Sequence, residues 1–186
     1  MSDWQSDLKM LQRRPPSKNI MQTIVNVMSS DTDDRAAAIL AGSLVELSMV
    51  GPIALITLRQ EHIEQDFWRT GAPYRWFANK ISKAASLGII GLQTTSNLEV
   101  IRLVRNAFAH SLSEIEFTTP EVERACSELT LSRNAEFFVT GEPTRKARYR
   151  YCYACDAVFR GLLAYVGLPW VTGSGWPGPP TQPILP

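Results

Sequence analysis

The sequence is poor in cysteine, in histidine and in excess charge of either sign. Among 186 residues there are three cysteines and two histidines, and 19 basic residues face 18 acidic ones. Three cysteines cannot form an even disulfide framework, so we expect a protein of the reducing cytoplasm rather than a disulfide-stabilised secreted domain. The net charge of +1 generates no global field toward nucleic acid or an anionic membrane, and any such binding needs a local patch.

Long apolar runs are also scarce. The longest apolar stretches, such as 49–58 and 161–166, are shorter than the roughly 20 residues that cross a bilayer. The N-terminus mixes Asp3, Asp7 and Lys9 with polar residues and lacks the apolar run of a signal peptide. We therefore expect neither a membrane anchor nor export.

Helical patterns dominate what the sequence does contain. Apolar residues recur at helical spacing, strand-like alternation is not favoured, and the length suits one core. We predict a single all-α helical bundle at 17–167, with an N-terminal arm at 1–16 and a disordered tail at 168–186. Pro15 and Pro16 end the arm, and the tail is rich in proline and glycine.

Caps and breakers place the individual helices. Ser29, Ser30 and Asp31 can cap the long helix at 33–50, which Gly51 and Pro52 break or kink, and Ser96 or Asn97 can cap the helix that starts at Leu98. Gly88 is suited to a helix C-terminus and Pro120 to a first helical position. Polar residues indicate a loop at 61–73. The predicted helices span 17–28, 33–50, 53–59, 74–87, 98–112, 120–131 and 144–166, and a short extended piece is an option at 136–140.

Helical spacing also predicts which side chains lie inside. The inward residues of the four main helices are Ala36, Ile39, Leu40, Leu44 and Leu47; Phe77, Ile81 and Ala84 or Ala85; Leu98, Ile101, Val104, Phe108 and Leu112; and Tyr151, Ala154, Val158 and Leu162. We expect the aromatic residues Phe67, Trp68, Trp76 and Phe77 to fill the bundle.

The segment IRLVRNAFAH, residues 101–110, carries the clearest chemical pattern. Arg105 falls near the margin of the inward stripe, whereas Asn106 and His110 lie one turn apart on the polar side with Arg102. An arginine, an asparagine and a histidine therefore gather in the last two turns of one helix.

Four residues separate Arg105 from His110, and the first of them is Asn106. This spacing resembles the motif of HEPN domains. These are small helical bundles that commonly dimerise, and many are metal-independent ribonucleases. The resemblance implies that His110 moves protons while the ribose 2′-hydroxyl attacks the adjacent phosphate, that Arg105 stabilises the developing charge, and that Asn106 positions them. It also implies a homodimer that brings two such sites together.

The same residues have structural alternatives. Arg105 can pair with a carboxylate of the long helix, namely Asp33, Asp34 or Glu46. His110 can be a surface residue or a cation that complements the C-terminal end of the helix dipole. Both alternatives remain open at this point.

A longer resemblance covers somewhat under half of the chain. The segments DDRAAAILAGSLVE (33–46), YRWFANKISKAASLGIIG (74–91) and LEVIRLVRNAFAH (98–110) are similar in content and order to mannitol repressor-like proteins. The resemblance implies a homodimeric regulatory or protein-interaction module, although no DNA-reading helix-turn-helix is visible. Pro52 and both terminal extensions depart from it. The alternatives are a metal-independent endoribonuclease of toxin type, with RNA as its partner, and a helical scaffold without chemistry.

A basic and aromatic run at 144–160 offers a second candidate site. Arg145, Tyr149, Tyr153 and Arg160 share one helical face. Cations at a helix N-terminus oppose its dipole and can indicate an acidic or phosphate-bearing partner, while aromatic residues beside arginine can stack on unpaired RNA bases. A solvated polar face is the alternative.

Cys152 and Cys155 form a C-x-x-C pair. A zinc site needs four ligands, and only Cys126, His62 and His110 remain as further candidates. We expect buried cysteines that behave as small apolar residues, and neither a metal nor another cofactor.

Overall fold

The computed structural model describes residues 33–58, 60–140 and 145–167. The expected arm, the helix at 17–28 and the tail at 168–186 lie outside these ranges. The helical elements are α1 (Asp34–Ser48), α2 (Val50–Ile56), a 3-10 turn (Gln60–His62), a π-helical turn (Glu64–Trp68), α3 (Phe77–Ser86), α4 (Leu92–His110), α5 (Pro120–Ser127), α6 (Arg133–Thr140) and α7 (Lys146–Tyr165). The described residues form no β-strand, and the predicted all-α bundle is confirmed.

The boundaries of α1 follow from side-chain chemistry. The Asp33 carboxylate accepts a hydrogen bond of 3.2 Å from the Ala36 amide and caps the helix N-terminus. The helix ends at Ser48 because Pro52, four residues on, lacks an amide hydrogen and its ring clashes with the Ser48 carbonyl. The break predicted from Pro52 is therefore confirmed.

Together α1 and α2 bear on the expectation that the chain has no membrane anchor. The segment Asp34–Ile56 is long and apolar enough, by length and composition alone, to cross a bilayer, whereas no such segment was expected. More than half of its most apolar part is buried inside the fold, as in the core helix of a soluble protein. This helix is thus weak support for a membrane span.

The buried face of α1 is not the predicted one. Of the five expected inward residues only Leu44 is buried; Ala36 and Leu40 are exposed, and Ile39 and Leu47 are partly buried. The buried residues are Ala37, Ala38, Ala41, Gly42, Leu44, Val45 and Ser48. Because α1 is apolar on nearly all sides, spacing alone does not choose its inner face, and the small residues allow the closest packing against neighbouring helices.

Helix α4 differs from its prediction at both ends. It begins at Leu92 rather than Leu98 and ends at His110, so Leu112 lies beyond the helix and is fully exposed. Its other predicted inward residues, Leu98, Ile101, Val104 and Phe108, are buried.

Three further segments need correction. Residues 61–73 contain two short helical turns instead of a continuous loop, 136–140 belong to α6 rather than an extended piece, and α5 ends at Ser127. Trp76 is 65% exposed and does not fill the bundle, whereas Phe67 and Phe77 are buried and Trp68 is partly buried against the core. The last helix agrees closely with its prediction, and its four inward residues are buried.

Packing places α1 between α4 and α7. Helix α3 packs against α4, whereas α5 and α6 pack against α7. The aromatic rings of Phe108, Phe117 and Tyr151 connect α4 to α7, with centroid distances of 5.0 and 5.4 Å. The Tyr151 hydroxyl donates a 3.0 Å hydrogen bond to the Ala38 carbonyl of α1. This arrangement brings the segment 101–110 alongside α1.

Candidate functional site

Arg105 belongs to an ion cluster that connects three helices. Its Nη2 lies 3.3 Å from Oε2 of Glu46 on α1, and Nζ of Lys80 on α3 lies 2.7 Å from the other carboxylate oxygen. We call these three residues the Glu46 cluster. Of the carboxylates considered for Arg105, Glu46 is the partner. Asp34 instead accepts hydrogen bonds from Arg148 at 2.9 Å and the Phe117 amide at 2.8 Å.

Lys80 is the most deeply buried cation among the described residues, with a side chain that is 1% exposed. Its Nζ also donates to the Arg75 carbonyl at 2.9 Å and lies 5.9 Å from the centroid of the Trp68 ring. Burial lowers the pKa of Lys80, and the Glu46 carboxylate opposes that shift. The charge of Lys80 is therefore fully engaged inside the fold.

Lys80 was missed at the sequence level although a signal was available. It lies three residues after Phe77 and four before Ala84, within the apolar stripe of α3. A lysine in such a stripe is almost never buried without a partner. Its position therefore indicates an internal carboxylate, which the structure supplies as Glu46.

The guanidinium of Arg105 is committed to neighbours within the protein. Besides the contact with Glu46, Nη1 donates to the Asn106 side-chain oxygen at 3.1 Å. Its Nε is buried and makes no hydrogen bond within the described part of the chain. The side chain as a whole is 27% exposed. A phosphate at this site would have to approach Arg105 beside the negative charge of Glu46.

His110 stands apart from this cluster. Its side chain lies exposed in the last turn of α4 and forms no hydrogen bond or ion pair with any described residue. Arg35 on α1 donates to the carbonyl groups of Ser111 and Ser113, both at 3.0 Å, and so positions the chain directly after it. The structure thus joins Arg105 to Asn106 but adds no hydrogen bond from either to His110.

Arg102, the fourth predicted residue of this segment, is paired locally. Its Nε and Nη2 donate to the Glu99 carboxylate at 2.9 and 2.7 Å, one helical turn earlier. The pair is partly exposed, so it contributes little to stability. It does neutralise the Arg102 charge next to the candidate site.

A small apolar groove of about 240 Å³ lies beside the Glu46 cluster. The uncovered side of α1 forms one wall, where Leu40 is 37% exposed. We call this cavity the Leu40 groove. Its described lining consists of Leu40, Ser43, Leu44, Glu46, Leu47, Trp68 and Lys80. The groove is thus mainly apolar, with a lysine–glutamate pair in its wall.

The predicted face of α7 is only partly available. Arg145 and Arg160 are exposed, and Arg160 pairs with Asp156 through contacts of 2.8 Å. Tyr149 and Tyr153 are partly buried, with ring centroids 6.5 Å apart. A binding role for these four residues stays a prediction.

The three cysteines are free and buried, as expected for small apolar residues. Burial raises the pKa of the Cys126 and Cys152 thiols to about 12 and raises that of Cys155 as well. Thiols whose pKa is raised in this way are poor nucleophiles at neutral pH. Within the described ranges no three histidine, cysteine or acidic side chains lie close enough together to hold a metal ion.

Comparison of the chain with protein-family models, with curated protein sequences and with solved structures gives no match. The likeness to mannitol repressor-like proteins and HEPN domains therefore still depends on the sequence segments that suggested it. The contacts of Arg105, the exposure of His110 and the Leu40 groove are the structural features that bear on function.

Proposed function

We propose that this chain is a regulatory or protein-interaction module of the mannitol repressor-like kind, acting in the cytoplasm, in which Arg105 has a structural role. The observation that carries the proposal is the Glu46 cluster. Arg105 and Lys80 share one carboxylate, and this contact connects α4, α3 and α1. Arg105 thus contributes to the stability of the fold and not to a reaction.

Electrostatics favours this role over phosphate chemistry. An arginine that stabilises a developing phosphate charge must direct free N–H groups at the reacting oxygen atoms. The Glu46 carboxylate occupies part of the Arg105 guanidinium and would repel an incoming phosphate at the same place. Withdrawing Arg105 from the cluster would also remove a partner from a carboxylate that is 18% exposed.

The Leu40 groove supports a role in protein interaction. It exposes the Leu40 side chain and part of Leu47 next to Trp68, and an uncovered apolar recess with a polar edge is typical of a protein contact site. We propose that an apolar side chain of a partner protein, in the simplest case a second copy of this chain, enters the groove.

Substitution in the groove tests the interaction role. We expect Leu40→Glu to abolish self-association measured by light scattering, because burying a carboxylate in an apolar recess is unfavourable. In a strain from which the gene has been deleted, we also expect the variant to fail to restore the transcript levels that the wild-type protein restores. Leu92→Glu is the matched control, since Leu92 is 92% exposed and does not line the groove. Leu40→Glu that behaves as wild type in both assays would refute this role.

The second candidate is a metal-independent endoribonuclease. One observation favours it: the His110 imidazole is exposed and has no partner among the described residues, so it is accessible to a substrate. In that mechanism His110 would accept the 2′-hydroxyl proton while the 2′-oxygen attacks phosphorus and the bond to the 5′-oxygen breaks. The leaving 5′-oxygen would take a proton from water, which gives a 2′,3′-cyclic phosphate and a 5′-hydroxyl. The candidate requires that RNA binding separates Arg105 from Glu46.

A further inference from the structure

A second cavity lies between α5 and α7, and none of its described lining residues belongs to the Glu46 cluster. Its volume is about 390 Å³. Arg124 and Glu123 of α5 line one side, and Lys146 and Arg150 of α7 line the other. We call this cavity the basic cleft. Its cations differ from those of the predicted face of α7, which are Arg145 and Arg160.

Two cations of the basic cleft are not paired with a carboxylate of the described chain. Arg124 and Lys146 are exposed, and their side chains form no hydrogen bond or ion pair with any described residue. Arg150 is fixed, because its Nη1 donates to the Leu129 carbonyl and its Nη2 to the Glu136 carboxylate, both at 2.6 Å. The cleft thus combines two unpaired cations and one immobilised guanidinium with a single carboxylate, that of Glu123.

The position of Lys146 adds to this positive potential. It is the first residue of α7, a helix with no acidic residue in its first turn and no side-chain cap at its N-terminus. The positive end of the helix dipole therefore reinforces the charges of Lys146 and Arg124 instead of offsetting them. An anion in the cleft would relieve this repulsion.

We propose that the basic cleft binds a small phosphate-bearing molecule. A phosphate dianion matches the combination of an arginine fork and a lysine ammonium group. The volume lies within the range of small-molecule sites, and the apolar surfaces of Pro120 and Ala147 can contact the rest of the ligand. The Glu123 carboxylate favours a ligand that carries a hydroxyl or amino group beside its phosphate.

The surroundings favour a small ligand over a nucleic acid. Glu121, Glu123 and Glu128 are all exposed on or next to α5. Their charges would repel the successive phosphates of an extended strand, whereas a single phosphate inside the cleft needs only local compensation.

Binding of pyrophosphate and of inorganic phosphate, measured by calorimetry with the full chain, tests the proposal. We expect saturable binding that weakens at least tenfold in Arg124→Gln and in Lys146→Gln. Glu123→Gln should tighten binding severalfold because it removes the repelling carboxylate. Arg69→Gln is the control, since Arg69 is exposed and lies outside the cleft. Thermal unfolding should be alike in all variants.

Three results would overturn the proposal. One is the absence of saturable binding at millimolar concentration. Another is equal weakening in Arg69→Gln, which would indicate non-specific ion attraction. The third is binding of a single-stranded RNA oligonucleotide, but not of either phosphate, through Arg124 and Lys146. None of these results depends on how Leu40→Glu behaves in the self-association assay. Failure of the phosphate-binding proposal is therefore distinguishable from failure of the proposed function.

Discussion

At the scale of single residues, Glu46 balances two cations with one carboxylate. Lys80 is buried, whereas Glu46 and Arg105 are 18% and 27% exposed. Removing the negative charge leaves two neighbouring cations without their counterion, whereas removing the lysine leaves a complete pair of Glu46 and Arg105. The two changes should therefore have unequal costs.

We predict that Glu46→Gln lowers the free energy of unfolding by about 3 kcal/mol, as expected when a buried charge loses its partner. Lys80→Met, which fills a similar volume, should cost clearly less. Urea denaturation of both variants measures the difference. A larger cost for Lys80→Met would contradict the central position assigned to Glu46.

The sequence allowed part of this site to be predicted. Glu46 was among the carboxylates considered for Arg105 because it lies on the apolar long helix that must pack near the segment 101–110. Spacing could not choose among three carboxylates, since that choice depends on how the helices cross. Asp34 lies near the start of α1 and pairs with Arg148 of α7, leaving Glu46, three turns later, for Arg105.

At the scale of elements, local signals identified some helix boundaries. Gly88, with its φ of 67°, and Pro120 mark boundaries as predicted. The cap of α1 is Asp33, although the predicted caps were Ser29, Ser30 and Asp31. The predicted start of α4 at Leu98 is wrong, because it depended on Ser96 or Asn97 as the N-cap and the helix already begins at Leu92. Asn97 has another role. Its side chain instead accepts from the Thr130 amide and donates to the Thr130 carbonyl, a tertiary contact that no local signal reveals.

Close packing explains why the small face of α1 lies inside. A Cβ atom at Gly42 would lie 2.7 Å from the Tyr151 hydroxyl oxygen and 2.9 Å from both Cβ and Cγ of Arg105. The Tyr151 hydroxyl is fixed by its hydrogen bond to Ala38, and the Arg105 Cβ lies close to the backbone of α4. Neither atom can yield easily.

We predict that Gly42→Ala destabilises the protein by about 1–3 kcal/mol through overpacking, despite the higher helix propensity of alanine. Gly51→Ala is the control within the neighbouring helix α2. A Cβ there would meet only Val166 Cγ1, at 3.1 Å, so we expect a change below about 1 kcal/mol. Thermal unfolding measures both, and equal stability of Gly42→Ala and wild type would show that α1 does not need this close approach.

At the scale of the whole molecule, the buried thiols make the fold sensitive to alkali. The pKa of Cys126 and of Cys152 rises from 9.0 to about 12, and burial also raises the pKa of Cys155 and Tyr151. Their stabilising contribution is complete below pH 9 and is lost as the pH rises toward 12, because the unfolded chain releases these protons first. The lowered pKa of Lys80 acts in the opposite direction, but it is a single group.

We therefore predict that the free energy of unfolding falls above pH 9, by about 1.4 kcal/mol per pH unit for each buried thiol. Urea denaturation under reducing conditions at pH 8, 9 and 10 measures the slope. Cys126→Ala removes one buried thiol, so the slope should become shallower by about 1.4 kcal/mol per pH unit. A flat profile over this range would mean that the thiols are not protected by burial.

The regulatory assignment depends most on whether the segment 101–110 cleaves RNA. The deciding measurement is cleavage of labelled single-stranded RNA in chelator by the wild-type protein and by His110→Ala, after circular dichroism has established that both are folded. Because Glu46 engages Arg105, we predict no cleavage by either protein. Cleavage by the wild type that is lost in His110→Ala would contradict the regulatory role and establish the endoribonuclease.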